Sequence, residues 1–322
     1  MQNKMAVRAG ISQKLLKMAE QDPNIVIVTS DARGSASVEK FFEFFPDRSI
    51  EVGIAEQTAV GVAAGLSLCG KKVFVFGPAC FYSARSLEQV KNDVAYSGAN
   101  VKIIAVSGGV SYGPLGSTHH ALHDIAVYRA IPNIAVILPS DANQGAAVVE
   151  ELLRIDKPAY VRVGRNPVPF VYDREENSFH FGKANILREG KDLAIFATGE
   201  VVWHALEASK ILESIGIKST VVDIPCIKPL DEDLIIQIAR LTQKVLTVEE
   251  HSVYGGLGEA ICSVLCRNYP VPTEIIAIAD EYPITGKQLE VYFHYNLDFK
   301  GIVEKAQKFM RRIKFGKIHT RD

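Results

Sequence analysis

The chain has 322 residues, of which 48% are hydrophobic and 23% charged, with a formal net charge of -1. That near balance argues against nucleic acid or an anionic membrane surface as the main partner. The length suits two domains of ordinary size, and neither a signal-peptide core nor an apolar run of ~20 residues is present, which is a cytoplasmic profile.

From the N-terminus, ISQKLLKMAEQ (11–21) has helical amphipathicity and precedes NIVIVTSD (24–31), a β-branched run expected to be a strand. The stretch EVGIAEQTAVGVAAGLSLCG (51–70) then reads as an apolar, Gly- and Ala-rich helix with one carboxylate, Glu56, near its start. Among such neighbours an ionised carboxylate costs several kcal/mol or stays protonated. Glu56 is therefore either a first-turn acid facing water and the helix dipole, or a carboxyl group kept for chemistry. Strands are expected at KKVFVFG (71–77), VKIIAVSGG (101–109), IAVILPSD (134–141) and AYVRVG (159–164). The amphipathic stretches SARSLEQVKNDVAYS (83–97) and ANQGAAVVEELLRI (142–155) lie between them. Near-continuous apolar strands separated by helices imply a parallel α/β sheet covered on both faces, with ligands beyond the carboxyl ends of the strands.

The segments at those strand ends hold the candidates. Phe81 and Tyr82 follow a strand, at a mouth position where an aromatic ring can stack on a flat ligand. In GSTHHALHD (116–124), His119, His120 and His123 lack metal-ligand spacing, so the loop reads as presenting imidazoles to a substrate rather than as a zinc site. Arg8, Arg33, Ser35 and Arg165 lie near strand ends or the N-terminus, and Arg165 has the best claim to a phosphate or carboxylate. There is no GxxxxGK[ST], no GxSxG and no GxGxxG after a strand.

Pro-rich, charged residues 169–189 read as a linker between domains 1–168 and 190–322. A second α/β series follows, with KDLAIFATG, WHALEASKILESIG, KSTVVDIPCIKPL, VLTVEEH, GGLGEAICSVLCR and EIIAIAD. Among the five cysteines, Cys262 and Cys266 stand four apart on an apolar helical pattern, which predicts buried thiols. The basic tail from Lys305 reads as a solvated terminal helix.

Taken in order, DPNIVIVTSDARGS, FPDRSIEVGIAEQTAVGVAAGLS, SLEQVKNDVAYSGANVKI, GSTHHALHDIAVYRAIPNIAVILPSD and IKPLDEDL…TVEEHSVYGGLGEAI resemble the transketolase family of thiamine diphosphate enzymes. The resemblance covers nearly the whole chain. It implies two doubly wound α/β domains, a parallel-sheet pyrimidine-binding domain and then a smaller mixed-sheet C-terminal domain. It also implies transfer of a two-carbon ketol unit between a ketose and an aldose through a cofactor ylid. Glu56 would hydrogen-bond N1′ of the aminopyrimidine, burial having raised its pKa. Phe81, or Tyr82 with the loop shifted by one, would stack on that ring, and Asp31 would lie near the cofactor. His119 would serve proton transfer at the reacting carbons, His120 would face substrate, and Arg8, Ser35 and Arg165 would hold a sugar phosphate.

Two positions depart from the family pattern. Leu115 stands where many members have an acid, and Ser107 where classical members have a substrate-contacting histidine. The family's GDG motif, which with an Asn binds diphosphate and Mg2+, does not occur. The resemblance therefore implies a separately encoded partner bearing that domain, in a heterotetramer. The alternatives in view are a 2-oxo acid decarboxylase β subunit, a deoxyxylulose-phosphate-synthase-like enzyme and a non-catalytic paralogue.

Overall fold

A computed structural model describes residues 4–173 and 178–314. Its first half runs β1 (Lys4–Met5), α1 (Val7–Gln21), β2 (Ile25–Thr29), α2 (Arg33–Ala36), α3 (Glu39–Phe44), β3 (Ser49–Glu51), α4 (Glu56–Leu68), β4 (Lys72–Pro78) and α5 (Ala79–Tyr82). It continues with α6 (Leu87–Gln89), β5 (Val101–Val106), α7 (Asp124–Ala130), β6 (Ala135–Ile137), α8 (Ala142–Arg154), β7 (Ala159–Arg162) and β8 (Val168–Pro169). The second half contains β9 (Asn185–Arg188), β10 (Leu193–Ala197), α9 (Val202–Ser214), β11 (Ser219–Asp223), β12 (Cys226–Lys228), α10 (Glu232–Thr242) and β13 (Val245–Ser252). It ends with α11 (Leu257–Asn268), β14 (Thr273–Ile278), α12 (Gln288–His294) and α13 (Phe299–Lys314).

The apolar runs IVIVT, VKIIAV and AYVR are buried at every position, as strands covered on both faces require. They lie in a seven-stranded sheet of order β12-β6-β7-β5-β4-β2-β3, parallel throughout except for β12. One face is covered by α1 and α8, which approach closely because Gly10 has no side chain: a Cβ there would sit 2.2 Å from the Ala142 carbonyl oxygen. The other face carries α4 and the segment after α6, where the predicted helix 83–97 is broken. It forms α6 and then a π-helical stretch from Val90 to Tyr96.

The second sheet has order β14-β13-β10-β11-β9, with β9 antiparallel at the edge, so it is a mixed sheet. Two segments behave differently from their sequence reading. Within the expected linker, Phe179 is buried in the first sheet's core and Asn185–Arg188 forms β9. The single run KSTVVDIPCIKPL splits between the two sheets, because β11 stays in the second while β12 pairs antiparallel with β6 at the edge of the first. No propensity distinguishes these two ends of the run, since both are β-branched and buried.

Two further expectations are corrected. The chain from Lys305 is not simply solvated: Ile302, Ala306 and Phe309 are buried against the second sheet's core, so α13 is amphipathic. Residues 315–322 of the tail lie outside the described residues. Cys266 is exposed and Cys262 only partly covered, because α11 buries Leu257, Ala260, Ile261, Val264 and Leu265 and turns both thiols outward.

The domains are joined by buried charge. Arg162, at the end of β7, donates to the Glu250 carbonyl at 2.6 Å, and its Nε stands 3.4 Å from Asp124 Oδ2. Burial works against its charge, but Asp124 and Glu250 outweigh it and keep the guanidinium protonated. Gln288 spans the seam, donating to Glu250 Oε1 at 3.2 Å and Glu200 Oε2 at 3.4 Å. Burial first, then the neighbouring Glu250, pushes Glu200 from 4.5 up to about 8. Folding therefore takes up a proton between those values, and this group's contribution to stability is lost as pH rises through about 8. Glu200→Gln removes the dependence. The difference in melting temperature, wild type minus variant, should fall between pH 5 and pH 9. A constant difference in thermal melts would show that Glu200 titrates normally.

Candidate active site

The loops at the carboxyl ends of β2, β4, β5 and β7 carry the sequence candidates, as a parallel sheet predicts. Glu56 opens α4 and is 2% exposed, so it does not face water. Nor is it alone: Arg85 Nη1 donates to its Oε2 at 2.7 Å. The sequence reading missed Arg85, which sits four residues after Phe81. Its guanidinium lies over the Phe81 ring, 4.7 Å from the centroid, and is half-exposed.

Phe81 and Tyr82, adjacent in sequence, point to different places. Tyr82 is fully buried in the core; its hydroxyl lies 3.1 Å from Ser30 Oγ, and burial raises its pKa. It has no face left for a ligand. Phe81 is half-buried at the mouth and meets the His119 ring edge-to-face at 5.5 Å between centroids.

His119 is held between two rings, Phe81 on one side and Tyr112 on the other at 5.4 Å, while its Nδ1 lies 3.0 Å from Thr118 Oγ1. Tyr112 in turn lies under the Arg165 guanidinium, 5.3 Å from the ring centroid. Arg165 stands close enough to Arg8 that, after burial, its charge is the next cause lowering the Arg8 pKa. Arg8 donates to the backbone carbonyl of Ser35. Glu56, Arg85, Phe81, His119, Tyr112, Arg165, Arg8 and Ser35 thus form one continuous chain of contacts. Two of its links, Arg85 and Tyr112, carried no sequence signal beyond lying next to a candidate loop.

Other candidates fall elsewhere. His120 is buried with Nε2 3.2 Å from the Gly113 carbonyl, and burial lowers its pKa. It braces the loop from within rather than facing a substrate. His123 is exposed beside Ser83, 3.2 Å away. Asp31 has an exposed side chain and left-handed backbone (φ 52°), and its N–H donates to Glu51 Oε1 at 2.8 Å. Glu51, unremarked in the sequence, also accepts from Thr29 at 2.8 Å, Arg33 at 3.0 Å and the Gly53 N–H at 3.0 Å. Burial raises its pKa, but these hydrogen bonds outweigh it and hold the carboxyl below its ordinary value. The loop from Asp31 to Ser35 is therefore fixed by one carboxylate. Arg33 is spent on that carboxylate and on the Phe42 ring at 4.7 Å. Of the two departures from the family pattern, Leu115 is 54% exposed, and Ser107 is buried with its Oγ unpartnered among the described residues.

The loop from Gly108 to Ala121 is anchored from below. Val110 N–H donates to Glu250 Oε1 at 2.9 Å, and Gly109 bridges to Ala121. A Cβ on Gly109, at φ +59°, would sit 2.2 Å from the Glu250 carboxyl carbon and 2.3 Å from Arg162 Nη2. Only glycine fits between the loop and that buried ion pair.

A parallel-sheet domain with a buried helix-start glutamate beside a mouth-facing aromatic ring, followed by a mixed-sheet domain, has the form of the pyrimidine-binding half of a thiamine diphosphate enzyme. Known proteins bear this out. Residues 3–170 match the family model described as transketolase, pyrimidine binding domain, and residues 182–302 the transketolase C-terminal domain. The chain belongs to the transketolase family, whose members are thiamine diphosphate-dependent transferases, and it corresponds to one half of a split transketolase.

One of the two subunits of an apulose-4-phosphate transketolase from Phocaeicola vulgatus is 50% identical over 96% of this chain and 99% of the relative. A 6-deoxy-6-sulfo-D-fructose transketolase subunit from Clostridium sp. is 37% identical over 94% of this chain and 93% of its own length. A solved split gene transketolase, described as an inactive beta4 tetramer, superposes with a TM-score of 0.87 at 37% identity, covering 96% of this chain and 99% of that one.

Removing Arg85 would leave the Glu56 carboxylate buried without its counter-ion. Because the guanidinium is half-exposed and water can partly replace it, Arg85→Ala should cost about 1 kcal/mol, well below the loss for a fully buried pair. A lower urea midpoint at unchanged slope would show this. An unchanged midpoint would mean Glu56 is satisfied without Arg85.

Proposed function

We propose that this chain is the catalytic pyrimidine-side subunit of a cytoplasmic split transketolase acting on phosphorylated sugars. The carrying observation is the contact chain from Glu56 to Ser35, which sets a proton-handling end and an anion-binding end in one groove.

The residues present suit the aminopyrimidine half of thiamine diphosphate. Glu56 is a buried acceptor at a helix start, and Phe81 offers a half-buried ring face close by. When bound, the cofactor supplies the carbon nucleophile that carries the two-carbon unit. Glu56 would hold or give a proton at the ring nitrogen, with Arg85 screening its charge. Phe81 would fix the plane of the ring, and Asp31 would border it through a backbone clamped by Glu51. His119, whose Nε2 is not engaged by Thr118, would move protons at substrate hydroxyls. Arg165 and Arg8 would hold the phosphate, with Ser35 beside them.

The diphosphate and Mg2+ ligands are proposed to lie on a separate subunit. Support comes from the apulose-4-phosphate relative, which has nearly the same extent and is itself named as a subunit, and from exposed apolar side chains beside the site. Ile54, just before α4, is 76% exposed, and Leu115, on the histidine loop, 54%. A heterotetramer with two copies of each chain is the proposed assembly, divided within this chain as 1–168, 169–189 and 190–322. Leu115 removes an acid that would contact a substrate hydroxyl. This favours a less common sugar, in keeping with the apulose-4-phosphate and sulfofructose names of the relatives.

Three measurements test the reading. Calorimetric titration of thiamine diphosphate with Mg2+ should show binding to this chain plus its partner and none to this chain alone; tight binding by the chain alone would overturn the split site. In the assembled enzyme Glu56→Ala should lower kcat by at least about a hundredfold with the fold intact, the scale of a lost acid–base group. Near-normal turnover would remove Glu56 from the mechanism. Arg165→Ala should raise KM about tenfold or more for a phosphorylated acceptor but little for its unphosphorylated parent, as loss of a charge-assisted hydrogen bond requires. Equal effects would mean Arg165 does not meet the phosphate.

A further inference from the structure

Behind Arg165 the groove does not end. It opens into a cavity of about 750 Å³ between the two domains, within the range of small-molecule pockets. On the first domain its walls include Tyr112, Arg165 and Asn166; on the second, Trp203, His204 and Tyr292. His119 and Glu56 do not line it, so the cavity is separate from the proton-handling end of the site.

Its polar groups are of two kinds. Some are already committed: Glu290 accepts from the Lys287 N–H at 2.8 Å, and Asp298 from the Gly301 N–H at 2.9 Å, both in helix-end turns. Others are not. Among the described residues Arg165 Nη1 is buried with no hydrogen-bond partner, and so is Nδ1 of His204, a side chain only 8% exposed. Leaving such atoms unpaired costs about 1–3 kcal/mol each unless a ligand or water meets them. Beside them the Trp203 indole, partly exposed, packs edge-to-face with His204 at 4.9 Å and with Phe299 at 6.3 Å.

We propose that this interdomain cavity is a second ligand site, one that takes a phosphorylated sugar. A guanidinium with an open N–H selects a phosphate by charge and geometry. An unpaired imidazole nitrogen and the Asn166 amide suit hydroxyls, and an indole face suits the C–H side of a sugar ring. Burial supports the polar, uncharged character of the inner wall: His204 is pushed down to about 4 and Glu200 up to about 8, so both are neutral near pH 7. The site shares Arg165 with the catalytic groove proposed above. A ligand here competes for the group that would hold the substrate phosphate, which makes the cavity an inhibitory site fed by the enzyme's own class of metabolite.

Trp203 is the only tryptophan in the chain and lines the cavity, so its emission reports occupancy without partner subunit or turnover. The full chain would be titrated with ribose 5-phosphate, ribose and inorganic phosphate, with excitation at long wavelength. A saturable emission change is expected with ribose 5-phosphate, at least about tenfold tighter than with either fragment. Arg165→Ala and His204→Ala should each weaken it about tenfold, the loss of one strong hydrogen bond. No saturable change would overturn the proposal, as would a midpoint unmoved by His204→Ala in a chain with wild-type circular dichroism. Equal midpoints for ribose 5-phosphate and inorganic phosphate would reduce the site to an anion contact and overturn the sugar assignment. A silent Trp203 together with the KM effect of Arg165→Ala would sink this site and leave the catalytic reading standing.

Discussion

The structure depends on one buried guanidinium. Arg162 ends the central strand β7 and reaches across the domain seam to the carbonyl and carboxylate of Glu250, with Asp124 on its other side. Buried charge of this kind is costly unless paired and hydrogen-bonded on all sides, and here the partners come from both domains. The domains cannot separate without exposing an unpaired charge, so their relative placement is fixed by electrostatics as well as by apolar packing.

The consequence reaches the site directly. Glu250 also accepts from Val110 at the foot of the histidine loop, and the two glycines before it allow the backbone to lie against the ion pair. His119 is therefore positioned from the C-terminal domain although it belongs to the first. This gives a second domain, far from the proton-handling end in sequence, a physical role in the chemistry of the first. It also explains why the interdomain cavity and the catalytic groove meet at Arg165: both are bounded by the same loop.

At the other end, Glu56 shows how a carboxylate can be kept in an apolar helix start. The helix dipole and the Arg85 guanidinium stabilise its charge, while the surrounding Ala and Val side chains keep water away. Arg85 is open to solvent on one side, so the pair is not locked as Arg162 is. A ligand ring placed against Phe81 would enter where Arg85 now lies over that ring, so the arginine is both counter-ion and wall.

Patterns along the chain were enough for the α/β class, the parallel strands and the loops that bear the chemistry. Each of these follows from local order: apolar runs of strand length, helical spacing between them, and polar residues at strand ends. Such patterns also pointed to Glu56, because a lone acid in an apolar stretch is anomalous at any level of description. Only the folded chain shows which neighbour of a pair faces the groove, Phe81 outward and Tyr82 inward, since a turn of the backbone reverses direction without altering composition. Folding also turned His120 inward, placed β12 in the other domain's sheet, and supplied Arg85 and Tyr112 as the links between the predicted residues. Those outcomes rest on contacts between segments far apart in the chain or on the rotation of a single side chain, and one-dimensional patterns carry neither.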